Sequence, residues 1–140
     1  MTEYDKPIPQ PDPFVGKPYW DGGKEGKLML PRCTSCSKTH FYPRAMCPHC
    51  GRNTIEWYEA SGLGILHTFA VQHRGVGAWR DHVPYVTAFI DLMEGDRVFT
   101  VLRGVDPNKP EEIKIGSKCR IEWDKASEEV YMPYWRVVEE

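Results

Sequence analysis

Downstream of position 54, apolar and polar residues alternate with a period of two. Ile55 and Trp57 open the pattern, and over 65–72 the set Ile65, His67, Phe69 and Val71 interleaves with Leu66, Thr68, Ala70 and Gln72. Alternation of this kind predicts strands whose two faces meet different surroundings. A second strand is predicted over 85–92, and Glu94-Gly95-Asp96 turns it into a third over 97–103. A fourth over 118–123 turns through 124–129 into a fifth over 130–138. Leu63, set between Gly62 and Gly64, predicts a bend or bulge ahead of the first of these strands. Short strands separated by turn residues, with little helix, predict a mainly β chain closing into a small barrel. The five-stranded option is the OB-fold.

Upstream the pattern is different. Pro7, Pro9, Pro11 and Pro13 prevent regular structure and predict an extended arm, a kind of segment that often lies on a partner. Pro18 can open a helix at its first position, and Trp20, Lys24 and Lys27 then fall at helical spacing. Gly22 and Gly23 each weaken that helix by about 1 kcal/mol relative to Ala, so it is expected to be short. The predicted organisation is therefore an arm and short N-terminal helix over 1–30, a cysteine module over 31–54 and a barrel over 55–140.

The cysteine module carries the clearest chemistry. Cys33, Cys36, Cys47 and Cys50 form two C-x2-C pairs separated by ten residues. Disulfides need an oxidising compartment, and a redox pair needs only one copy of the motif. A metal site explains both copies, because two tight turns present four sulfurs to one ion. Pro48 and Gly51 suit the second turn. Zn²⁺ is the expected ion, one per chain, with rubredoxin-like iron as the alternative. Four protein ligands leave no open position, so the role is structural, and the short β-like run over 39–43 completes a four-cysteine zinc ribbon. His40 and His49 lie close enough to replace a cysteine, but are read as surface or packing residues.

Composition narrows the partners. Net charge is −2 and the pI about 6.2, so the basic excess typical of nucleic-acid binders is missing. No apolar run approaches the roughly 20 residues that span a bilayer. The N-terminus lacks the basic start and apolar core of a signal peptide, and a cytoplasmic location is expected. Cys119 alternates in phase with Ile121 and Trp123 and is expected to face the core. The loop over 73–84 gathers His73, Arg74, Trp79, Arg80 and His82 between two strands. Arg74 and Arg80 can bind phosphate and Trp79 can stack on a purine, against the plainer reading of a solvated hairpin loop. No nucleophile–base pair, acid pair or open metal position is recognisable, so no catalytic residues are expected in this chain, and what remains is an inventory suited to binding.

Six ordered motifs carry a resemblance: PYW at 18–20, the paired cysteines, EASGLG at 59–64, PYVTAFIDLMEGDRVFTVLRGVDP at 84–107, IKIGSKCRIEW at 113–123 and MPYWRV at 132–137. Over about residues 14–137 the chain resembles the DUF35 group. It departs at Ser37, where members often have Gly, and at the Gly22-Gly23 pair. The resemblance implies a helix, a rubredoxin-like zinc ribbon and an OB-fold. It also implies an accessory subunit of a thiolase-type acyl-CoA enzyme. Such subunits occur with archaeal acetoacetyl-CoA thiolase, steroid side-chain aldolases, acyl-phloroglucinol transferases and benzoylsuccinyl-CoA thiolase. In those assemblies the thiolase-fold partner supplies the catalytic Cys and His, while the small subunit supports assembly and helps form the coenzyme A site. Here Arg74, Trp79 and Arg80 are the candidate coenzyme A or partner contacts. The alternative from a different class is a single-stranded nucleic-acid-binding module, since ribbon and OB-fold also pair there.

Overall fold

The structure, a computed structural model, describes residues 4–138; the first three residues of the predicted arm lie outside them. One helix and seven strands follow in the order α1 (Lys17–Lys24), β1 (Met29–Cys33), β2 (Ile55–Glu59), β3 (Leu63–Gln72), β4 (Tyr85–Leu92), β5 (Arg97–Arg103), β6 (Lys118–Lys125) and β7 (Tyr131–Val137). No helix among the described residues is long and apolar enough to cross a membrane.

Strands β3 to β7 close into a barrel in the order β3-β4-β5-β7-β6, with β6 returning to β3. All pairings are antiparallel except β5 with β7, which run parallel through Leu102–Trp135 and Arg103–Arg136. This is the five-stranded OB-fold that the alternation predicts. Val86, Ala88, Ile90 and Leu92 of β4 point inward and meet Val98, Leu102, Leu66, Cys119 and Trp135 in one core. The predicted phase of β3 holds for only half the strand. Leu66 pairs with Ile90 but Thr68 pairs with Phe89, so His67 is an extra residue and the inward set switches from Gly64 and Leu66 to Phe69 and Val71. The bulge thus lies at His67, not at 62–64. Gly64 has a separate reason: a Cβ there would lie 2.5 Å from Ile90 Cγ2 and 2.8 Å from the Asp91 carbonyl oxygen.

The ribbon differs from its prediction in one respect. Its sheet is β1 with β2, in register from Met29–Glu59 to Cys33–Ile55. The run over 39–43 contributes only an isolated bridge between Thr39 and Arg32. The alternation begun at Ile55 and Trp57 therefore belongs to a strand bonded to β1 and not to the barrel.

Helix α1 is short, as expected, but its glycines are contact points. A Cβ on Gly23 would sit 2.6 Å from the Trp123 ring, and one on Gly22 would sit 2.5 Å from Met29 Cγ. Two bare backbone positions let the helix lie directly on β6 and on β1. That contact offsets the propensity they cost. Lys27 lies beyond the helix end and Tyr19, Trp20, Gly22 and Gly23 form the buried face. Tyr19 packs edge-on against Trp20 at 5.2 Å and meets Phe41, Tyr42 and Trp123 within 6.0 Å, joining helix, ribbon and barrel. The Phe41 amide also donates to Asp96 in the β4–β5 turn at 2.7 Å.

Candidate metal centre and candidate binding loop

Each C-x2-C turn is built the same way. The Ser37 amide donates to the Cys33 carbonyl at 2.8 Å, and the Gly51 amide donates to the Cys47 carbonyl at 2.9 Å. One residue downstream of each turn's end the chain bonds back again, from the Cys33 amide to the Lys38 carbonyl and from the Cys47 amide to the Arg52 carbonyl. Both closing residues have left-handed backbone, with φ of 64° at Ser37 and 79° at Gly51. Glycine adopts this at no steric cost, and serine pays on the order of 1 kcal/mol. Ser37→Gly is thus expected to raise stability by about 0.5–1 kcal/mol, read as a higher denaturant midpoint for the zinc-loaded protein. An unchanged or lower midpoint would place the strain elsewhere.

These turns bring the four sulfurs of Cys33, Cys36, Cys47 and Cys50 within 4.8 Å of one another. Cys33 to Cys50 and Cys36 to Cys47 are each 3.6 Å. A disulfide would need about 2.05 Å, whereas a tetrahedron with metal–sulfur bonds of about 2.3 Å has edges of about 3.8 Å. The donor set is therefore spaced for one thiophilic ion and supports a structural zinc.

The protons tell the same story. The Cys36 amide and the Thr54 hydroxyl bring the Cys33 thiol down to about 6, and Cys47, though buried, is lowered by the amides of Cys50 and His49. Cys50 is favoured as thiolate by the Arg52 amide, yet burial and the neighbouring sulfurs push it up to about 11. Four thiolates cannot share this space without a cation among them. His40 is buried, and its Nε2 accepts the Arg44 amide at 3.3 Å; burial lowers its pKa. His49 reaches the cluster only through its backbone amide, 3.4 Å from Cys47 Sγ. Both are packing or surface residues.

Cys119 is fully buried and burial raises its thiol to about 11, so it is a core residue, as its phase predicted.

The loop over 73–84 joins the first and second barrel strands, a position that OB-folds use for ligands. It is not wholly irregular, since residues Gly77–His82 form a 3-10 turn. Arg74 and Arg80 are exposed and have no ion-pair or hydrogen-bond partner among the described residues. Trp79 is half-buried, tilted against Tyr85 at 4.7 Å and edge-on to His82 at 5.9 Å. Sequence reasoning missed what covers it. The arm folds back along its own chain: the Lys6 ammonium lies 5.7 Å from the Trp79 ring centre, Asp5 is 3.0 Å from His82 Nε2, and Tyr4 and Tyr134 share a hydroxyl hydrogen bond of 2.6 Å. Beneath Tyr134, the Arg103 guanidinium stacks at 3.7 Å while gripping Glu122 and Asp124 across β5 and β6. Only the prolines of the arm were legible beforehand. Its aromatic and charged anchors have no local signature.

Also unanticipated were Phe89 and Phe99, paired on the outer barrel face at 5.0 Å and 42% and 58% exposed. The outward phase of the two predicted strands was the signal that could have found them.

Comparison with known proteins agrees with this architecture. Residues 20–56 match the family described as the ChsH2 rubredoxin-like zinc ribbon domain, and residues 57–124 match the ChsH2 C-terminal OB-fold domain. The chain is 32% identical to a DUF35 domain-containing scaffold protein of Methanothermobacter thermautotrophicus, over 70% of this chain and 72% of that one. It is 31% identical to a probable enoyl-CoA hydratase alpha subunit of Thermomonospora curvata, over 97% of this chain, and spans only 42% of that relative's length. Among solved structures, a chain of the Ltp2-ChsH2(DUF35) aldolase superposes with a TM-score of 0.76 at 29% identity, over 94% of this chain and 98% of that one.

Proposed function

We propose that this chain, which belongs to the DUF35 family of ChsH2-type zinc-ribbon and OB-fold proteins, is the accessory scaffold subunit of a thiolase-type acyl-CoA enzyme complex. Zinc holds the ribbon, the ribbon and α1 brace the barrel, and the barrel presents its ligand loop to a cytoplasmic thiolase-fold partner that carries the catalytic Cys and His. The observation that carries this reading is the end-to-end match to the DUF35 chain of an aldolase assembly. Supporting it is a loop with two unpaired arginines at the OB ligand position, suited to the phosphates of a coenzyme A thioester shared with the partner.

The test begins with purification of the chain at native level from its host. A stoichiometric thiolase-fold partner is expected, inactive or insoluble when assayed without this subunit. Full activity of that partner alone would reject the accessory role. The identity with a hydratase alpha subunit favours a second reading, in which the partner is an enoyl-CoA hydratase, and the same purification distinguishes the two. Recovery with nucleic acid instead would support the single-strand-binding alternative.

Within the complex, Arg74→Ala and Arg80→Ala are each expected to leave folding intact and weaken coenzyme A binding by about 10-fold. That is the loss of one charge-assisted contact of roughly 1.5 kcal/mol. Calorimetric titration reads the effect. Unchanged affinity in both variants would return the loop to solvent-facing structure.

A further inference from the structure

Strands β5 and β7 bond to each other only near their C-terminal ends, at Leu102–Trp135 and Arg103–Arg136. Their earlier halves diverge, and α1 with the ribbon residues Phe41 and Tyr42 closes the gap. The closure is incomplete. It leaves a cavity of about 170 Å³ walled by Tyr19, Trp20, Phe41 and Trp135, with Thr100 and Met132 on the strands. Phe99 and Tyr42, 58% and 41% exposed, stand at its mouth.

Three features define what fits. No charged side chain lines the cavity, which excludes phosphates, carboxylates and ammonium groups, since none would find a counter-charge for its lost hydration. Half of the lining residues are aromatic, and a cavity of about 150 Å³ is large enough to take up benzene. Two wall residues also carry unspent polar atoms. Tyr19 and Trp135 are 3% and 2% exposed, and neither the Tyr19 hydroxyl nor the Trp135 indole N–H has a hydrogen-bond partner among the described residues. Neither atom is fully occluded. Buried Tyr and Trp ordinarily find a partner for these groups, and both can donate.

We propose that this seam cavity binds a neutral six-membered aromatic ring bearing a hydrogen-bond acceptor, with the ring among the aromatic walls and the acceptor toward Tyr19 and Trp135. The site is separate from the loop over 73–84 and from the zinc. It belongs to this chain alone, so it stands or falls independently of the partner enzyme.

The probe is 4-fluorophenol, titrated against the zinc-loaded full chain and followed by ¹⁹F NMR. Saturable binding with a Kd on the order of 1 mM is expected for so small a guest, with competition by unlabelled phenol. Tyr19→Phe keeps the ring and removes the hydroxyl. It is expected to weaken 4-fluorophenol about 10-fold while leaving fluorobenzene unchanged, a difference that mere loosening of the cavity would not produce. Thr100→Phe fills the space and is expected to abolish binding of both probes. Should that variant fail to fold, nuclear Overhauser contacts from the bound probe to the Met132 methyl in the unaltered protein locate the site directly. A linear, unsaturable response would overturn the proposal and leave a water-filled cavity. Saturable binding without contact to Met132, or undiminished in a folded Thr100→Phe protein, would overturn it equally.

Discussion

Cys47→Ser is expected to release the zinc and unfold the ribbon. The sulfur of Cys47 is buried, 3.6 Å from that of Cys36, and receives the backbone of its own turn. A serine hydroxyl is shorter and does not ionise near neutrality, so the tetrahedron loses one ligand and its charge balance. Structural zinc contributes about 10–16 kcal/mol of apparent binding energy in small ribbon-like modules, against about 5–15 kcal/mol for the net stability of a whole domain. Forfeiting even part of that term exceeds what the two-stranded β1–β2 sheet can replace. Because Phe41 and Tyr42 tie the ribbon to α1 and the Asp96 contact ties it to the barrel, the damage is expected to spread into solubility of the entire chain. Metal content per chain and a circular-dichroism melt measure the outcome. Cys119→Ser is the control: it buries a hydroxyl at a cost of about 1–3 kcal/mol but keeps one zinc per chain. A folded Cys47→Ser protein with no metal would refute the structural role, and equal metal loss in both variants would mean general unfolding.

Ile90→Ala is expected to cost about 2–5 kcal/mol, the second-largest effect of a single change. Ile90 is fully buried at the centre of β4, pairs with Leu66 and Val98, and packs its Cγ2 over the bare Gly64 backbone. Truncation leaves a cavity that Gly64 cannot refill, since the Asp91 carbonyl blocks any side chain there. One residue away, Phe89→Ala removes a ring from the outer face and is expected to cost about 1 kcal/mol, the value of its pairing with Phe99. Denaturant midpoints compare the two. A larger loss at Phe89 than at Ile90 would mean that the β3–β4 register, with its extra residue at His67, is misplaced by one.

Much of this was readable in advance, for identifiable reasons. Period-two alternation is a local consequence of the pleat, so β4, β5, β6 and β7 were placed within a residue or two of their bounds. Paired cysteines at fixed spacing are equally local, because each turn folds within five residues. The phase of β3 was not readable beyond Leu66. A bulge is decided by which strand lies alongside, and nothing in Leu66-His67-Thr68 marks one. Gly22 and Gly23 were misjudged for a related reason. Propensity counts the cost of glycine in a helix, while the compensating approach to Met29 and Trp123 exists only once the helix is docked.

By itself the sequence determined the five barrel strands, the barrel class, the four sulfur donors and the core orientation of Cys119, all of them set by spacing between near neighbours. Only the tertiary structure decided that β2 bonds to β1, that the arm folds back onto Trp79 and Tyr134, and that α1 leaves a cavity where β5 and β7 part. Those features join residues up to 130 positions apart. Their energies come from surfaces that do not exist until the chain has closed.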